Sequence, residues 1–194
     1  MKETIEIGRR VGGIGWPGDQ PGFVVVLGEE KYPYYDRKTY RYCLLDEAEE
    51  NDLSKLIDRC LDFKKKTPWL QFVARRDADS LRYLRMRANG TGNGLISMIR
   101  PAPHSETGLI SYHINLLKSS LISEKKTLFL NEKSKLSSCL MAVPSVGIDK
   151  ITDGQFPAVA ALGYALAVLI ETPQRLEEED YNYNKNKVNP ITGY

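Results

Sequence analysis

The side chains in this chain best placed to do chemistry are carboxylates. Asp77 follows a short apolar run, Trp69 to Val73, and Asp153 stands just before a run of small residues, Phe156 to Leu166. Glu6 sits in an alternating stretch near the start. Acids that converge from strand ends and a helix can hold divalent ions about 4 Å apart and activate water against a phosphodiester. If the segment after Asp153 is a helix packed beside the Trp69–Val73 strand, Asp77 and Asp153 face one site. Ordinary roles compete with this one. Asp79 can cap a helix, Asp77 can pair with Arg75 or Arg76, and Asp153 can be a loop residue, because acids are common in turns.

Other chemistries fit less well. The only histidines, His104 and His113, lie near no cysteine and lack metal-ligand spacing. Gly13-Ile14-Gly15-Trp16-Pro17-Gly18 has the letters of a dinucleotide fingerprint. That motif works only between a strand and the helix that receives the pyrophosphate. Here Pro17 interrupts it and a strand follows, so no nucleotide cofactor is expected. The chain also lacks a phosphate-binding P-loop. Cys43, Cys60 and Cys139 form no Cys-x-x-Cys pair and read as reduced thiols of a cytoplasmic protein. Arg75, Arg76, Arg82 and Arg85 lie close together, and arginine suits phosphate contact. A solvated helix face accounts for them almost as well.

These residues need elements to position them. Phe23 to Leu27 is a continuous apolar run, as expected of a strand buried on both faces. Tyr40 to Leu45 follows closely enough to pair antiparallel with it. The stretch before them, Gly8 to Gly22, is rich in Gly and Pro and reads as a loop or a strand with an irregular end. Leu53, Leu56, Ile57 and Cys60 have helical spacing behind the cap pair Asn51-Asp52. Trp69 to Val73 predicts a strand, Leu81 to Met86 a helix and Leu95 to Ile99 another strand. Ile110, Ile114, Leu117 and Leu121 mark a further helix, Thr127 to Leu130 a short strand and Lys135 to Met141 a short helix. Phe156 to Ile170 closes the domain as a buried helix.

With 194 residues and 42% hydrophobic content, the chain can build one sizeable core. The net charge of +2 makes no global case for nucleic acid, so any such surface must be local. No apolar run is long enough to span a bilayer, and no membrane partner is expected. Residues 1–172 are read as one domain. Residues 173–194, acidic and then polar, are read as a poorly ordered tail.

Strands first, then strand–helix alternation, then an Ala-rich helix entered through an Asp, is the plan of a ribonuclease-H-like α/β domain. The chain resembles the C-terminal nuclease domain of the large terminase subunit of tailed bacteriophages. The likeness runs from about Ile5 to Ile170 and is carried by Gly22-Phe23-Val24-Val25-Val26-Leu27-Gly28, Tyr40 to Asp46, Leu53 to Lys66, Leu70 to Val73 and Asp153 to Leu166. The resemblance implies a mixed sheet, with the first three strands antiparallel and the later ones parallel to the first. It implies Mg or Mn as cofactor if the site is active, with Asp77 and Asp153 catalytic and Asp77, Asp153 and Glu6 as ligands. It implies double-stranded DNA as the partner, met by Arg75, Arg76, Arg82 and Arg85, alongside other phage packaging proteins. It also implies a bacterial cytoplasm as the setting. Two departures stand out. The family's first acid falls where this chain has Gly8, Arg9 and Arg10, and its second falls at Ala74 and Arg75. A fixed guanidinium charge could offset Asp153 where metal would otherwise sit. Metal-dependent cleavage in genome packaging and a non-catalytic binding module therefore both remain open.

Overall fold

The computed structural model describes residues 6–30, 40–75, 83, 99–103, 105, 110–122, 126–131, 133–144 and 150–171. Asp77, Arg76, Arg82 and Arg85 lie outside the described residues. So do Asp79, the tail after residue 171 and most of the helix and strand expected between residues 81 and 98.

Phe23 to Leu27 forms the centre of β2 (Gly22–Glu30), in which nearly every position is buried. Phe23, Val25 and Leu27 face one side of the sheet, and Val24 and Val26 face the other. β1 (Ile7–Gly15) and β3 (Tyr40–Glu50) flank it, both antiparallel to it. β4 (Gln71–Ala74) runs parallel to β1, and β5 (Ile99–Pro101) runs parallel to β4. β6 (Lys126–Phe129) runs parallel to the first half of β3. The sheet is six-stranded, in the order β5-β4-β1-β2-β3-β6. The expected mixed sheet, antiparallel first and parallel later, is the one observed.

Helices cover both faces. α1 (Leu53–Lys66) starts at Asp52, whose carboxylate accepts from Ser54 N at 2.7 Å and Lys55 N at 3.1 Å. It buries Leu56, Ile57, Cys60 and Phe63 against Ile14, Val24, Val26 and Phe72. α2 (Ser111–Ile122), α3 (Lys135–Met141) and α4 (Pro157–Glu171) lie on the opposite face with Val11, Val25, Leu27 and Val73. Pro157 opens α4 at the position where a missing N–H costs nothing.

Two elements resolve or extend the sequence expectation. Of the two readings open for Gly8 to Gly22, the strand is the one observed over Gly8 to Gly15, and Trp16 to Pro21 form the connection. Glycine is a poor strand former, but here both faces of β1 need its lack of a side chain. The ring of Phe72 lies over Gly12, with Cγ 3.0 Å from where a Cβ would stand. On the other face a Cβ at Gly13 would stand 2.8 Å from the carbonyl carbon of Ala161, and one at Gly15 2.6 Å from that of Pro157. Main chain of α4 therefore rests directly on main chain of β1. Second, β3 continues past Leu45 through Asp46, Glu47, Ala48, Glu49 and Glu50. The strand tolerates these acids because basic groups and a helix start meet them. Arg59 pairs with Glu50 at 2.7 Å, Lys66 with Asp46 at 3.5 Å and Lys135 with Glu49 at 3.0 Å. The Glu47 carboxylate accepts from Lys135 N at 2.8 Å and Leu136 N at 3.0 Å, at the start of α3.

Gly13→Ala and Gly15→Ala should each destabilise the fold by about 3 kcal/mol or more, since the atoms in the way are main chain and cannot turn aside. Gly154→Ala is the control. Its Cβ would meet nothing nearer than 3.7 Å, and the change should stay within about 1 kcal/mol. Urea unfolding of the three variants decides it. Equal losses would mean that the helix–strand contact is not the seat of stability.

Candidate functional site

Parallel pairing of Ile14 with Ala74 brings the ends of β1 and β4 out on one side of the sheet. The turn before α4 arrives at the same place, because Pro157 lies over Gly15 and Gly154 lies against Gly18. This turn carries Asp153, which is only 5% exposed. Tyr164, two turns into α4 from Pro157, returns to the same side of the helix and donates its phenol O–H to Asp153 Oδ2. Arg75, the residue after β4, places Nε 3.6 Å from the same oxygen. Trp16 Nε1 donates to the Arg75 carbonyl at 2.8 Å, and Ala102 N donates to the Ala74 carbonyl at 2.9 Å. The backbone carrying Arg75 is thus held from both neighbouring sides. Asp153 Oδ1 is buried with no hydrogen-bond partner among the described residues.

Burial raises the Asp153 carboxyl above its ordinary value, against the opposing effects of the Tyr164 hydrogen bond and the Arg75 charge. The Tyr164 phenol is raised too, first by burial and then by the adjacent carboxylate, so it remains a donor. His113 of α2 lies edge-on to Tyr164, ring centroids 4.5 Å apart. Gly163 leaves room for it, since a Cβ there would stand 2.6 Å from His113 Nδ1.

The expected pairing of Arg75 with an acid is present, and the acid is Asp153. Glu6 is exposed and precedes β1, whereas Asp153 meets the far end of that strand. At ~3.3 Å per residue the two acids are about 30 Å apart along the strand, and Glu6 does not join this site. Lys64, Lys65 and Lys66 are likewise not beside Arg75. They end α1 at the start of β4, where Lys64 Nζ donates to the Leu70 carbonyl at 2.9 Å and Lys65 pairs with Asp62 at 2.9 Å. The length of β4 separates them from Arg75. Trp16 falls in the Gly- and Pro-rich stretch and Tyr164 in the helix expected to be buried, and the sequence marks neither as a site residue. The spacing of Tyr164 two helical turns after Pro157 was the available signal.

A two-metal centre needs several carboxylate oxygens converging on one point. Among the described residues no three His, Cys, Asp or Glu side chains gather in this way. The phenol and the guanidinium hold Asp153 Oδ2, and the α4-facing positions at the end of β1 are glycines with helix main chain on them. The described residues therefore do not fit such a centre. The three thiols offer no alternative nucleophile, since burial pushes the pKa of Cys43, Cys60 and Cys139 up and so disfavours the thiolate.

No family model and no curated protein matches the chain. Among solved structures it is similar to the nuclease domain of g2p, the large terminase of bacteriophage SPP1, solved with bound Mn. Sequence identity is 15% and the TM-score is 0.54, over 86% of this chain and 88% of the SPP1 domain. The chain has the ribonuclease-H-like fold of a terminase nuclease domain.

The raised Asp153 carboxyl has a definite sign in stability. A group that ionises less readily in the folded state favours folding below the ordinary carboxylate range, near pH 4. That contribution is lost as pH rises through the folded value. Glu29, also raised by burial despite Arg9, acts in the same direction. Asp153→Asn should therefore flatten the fall in unfolding free energy between about pH 4 and 7. Denaturant titrations at three pH values test this, and an unchanged slope would remove Asp153 as a contributor.

Proposed function

We propose that this chain is a terminase-type module of viral DNA packaging that engages double-stranded DNA without cutting it. The observation that carries the reading is the end of β1. Main chain of Pro157 leaves no room for any side chain on Gly15, while Asp153, the buried acid nearby among the described residues, is matched by Arg75 and Tyr164. Among the described residues the centre lacks the converging oxygens of metal-assisted hydrolysis. The fold and the run containing Arg75, Arg76, Arg82 and Arg85 support DNA as the partner, since arginine forks suit phosphate oxygens.

A second reading, metal-dependent cleavage, is favoured by a different observation. Asp153 Oδ1 is buried with no hydrogen-bond partner among the described residues, and Asp77 lies two positions beyond Arg75 in the chain. On that reading the two acids would be the metal ligands.

Two measurements separate these readings. Gel-shift titrations at several salt concentrations should show duplex binding that weakens steeply, with a log–log slope of roughly −0.9 per phosphate neutralised. Replacing Arg76, Arg82 and Arg85 together with Ala should flatten the slope by about one unit for each residue that meets phosphate. Supercoiled plasmid should stay intact with manganese. Nicking that Asp153→Asn abolishes would establish the cleavage reading instead, and no duplex binding at low salt would point to a packaging protein as the partner.

A further inference from the structure

The Mn of the SPP1 domain has no fitting donor set among the described residues, yet Asp153 is buried with the Arg75 guanidinium beside it. A buried carboxylate needs a compensating charge or it gives up its ionisation. Here one carboxylate faces one guanidinium at 3.6 Å, so the charges cancel. A divalent ion would leave an excess positive charge unless a second acid joined it. Arginine also keeps its charge at any physiological pH, which makes the compensation permanent. The side chain that carries the guanidinium starts from an anchored backbone. Trp16 Nε1 on the Arg75 carbonyl and Ala102 N on the Ala74 carbonyl fix its backbone.

The other end of α4 repeats the arrangement. Arg9 Nη2 donates to the Val168 carbonyl at 3.0 Å in the last turns of the helix, and Arg9 Nε stands 3.7 Å from Glu29 Oε2. Glu29 is buried, and burial raises its carboxyl. The closing helix is therefore bracketed by two arginine–carboxylate pairs, one in front of its first turn and one at its last turns.

We propose that the Arg75 guanidinium is a built-in replacement for a divalent cation at Asp153, seating the closing helix without metal. The idea rests on the non-cleaving reading of this site but not on DNA as the partner. Its test is thermal melting, so failure to bind DNA would leave it intact.

The experiment compares melting midpoints of the full chain in chelator and in millimolar manganese. Wild type should melt at the same temperature in both. Arg75→Asp places two acids together, and its midpoint should fall by about 5 °C in chelator. Manganese should restore most of that loss, and adding Asp153→Asn to this variant should abolish the restoration. If Arg75→Asp does not fold, Arg75→Ala serves as the second arm. It should melt below wild type, and adding Asp153→Asn should raise its midpoint by removing the uncompensated charge. A wild-type midpoint that rises with manganese through Asp153 would overturn the proposal. So would an Arg75→Asp variant indifferent to manganese, or a double variant that melts no higher than Arg75→Ala.

Discussion

The contact on which the rest of this structure depends is main chain on main chain, where α4 rests on Gly13 and Gly15 of β1. Helices normally pack on sheets through a layer of side chains. Here the strand contributes none at these positions, and the helix contributes Ala158, Ala161 and Ala165. The close approach lets Leu162, Leu166 and Leu169 reach full burial. At roughly 1.5–3 kcal/mol for each buried side chain of this kind, the leucines outweigh any single polar contact at the helix ends. β1 can carry so much glycine because it lies between β2 and β4, where ladder hydrogen bonds on both edges hold it extended.

The same contact shapes the chemistry. It sets Asp153 over the ends of β1 and β4 and turns Tyr164 back toward it. It also removes the strand as a source of carboxylates on that face, because any side chain at Gly13 or Gly15 would strike the helix backbone. A converging set of acids and a helix this close to the strand are sterically opposed. Of the two, this chain has the close helix, and the charge of the remaining acid is met by a residue at the end of the neighbouring strand. Tyr164 fits the same pattern, since a phenol held protonated by burial can donate to a carboxylate without adding charge.

Much of this was legible in the sequence, for identifiable reasons. The continuous apolar run of β2, the Asp52 cap of α1 and the small-residue helix behind Asp153 are local signals, and the structure has all three. The offset of Asp153 by an arginine could be anticipated from the resemblance, which puts an acid where this chain has Arg75. The glycines of β1 left strand and loop both open because their reason is tertiary. Nothing local announces that a phenyl ring and a helix backbone will press on opposite faces of the strand. The acidic half of β3 was missed for a similar reason, since its partners Arg59, Lys66 and Lys135 come from two different helices, the second far along the chain, and only the fold brings them to the strand. Glu6 misled through register. An acid at the start of a strand and a turn at its end look adjacent only when the direction of the strand is left out.

The Arg75–Asp153 pair is best understood as the cancellation of a cost and not as a source of stability. Arg75 is 34% exposed at its side chain, so solvent screens much of the attraction. Buried ion pairs are often no better than well-packed apolar residues of the same size, whereas removing one partner leaves an expensive isolated charge. The pair adds little to what the leucines of α4 already provide, but neither member can be lost alone without penalty. A carboxylate buried for a cation constrains the chain even when its partner is another side chain. It holds an arginine at the end of β4 and a tyrosine two turns into the closing helix, and so it fixes where that helix begins.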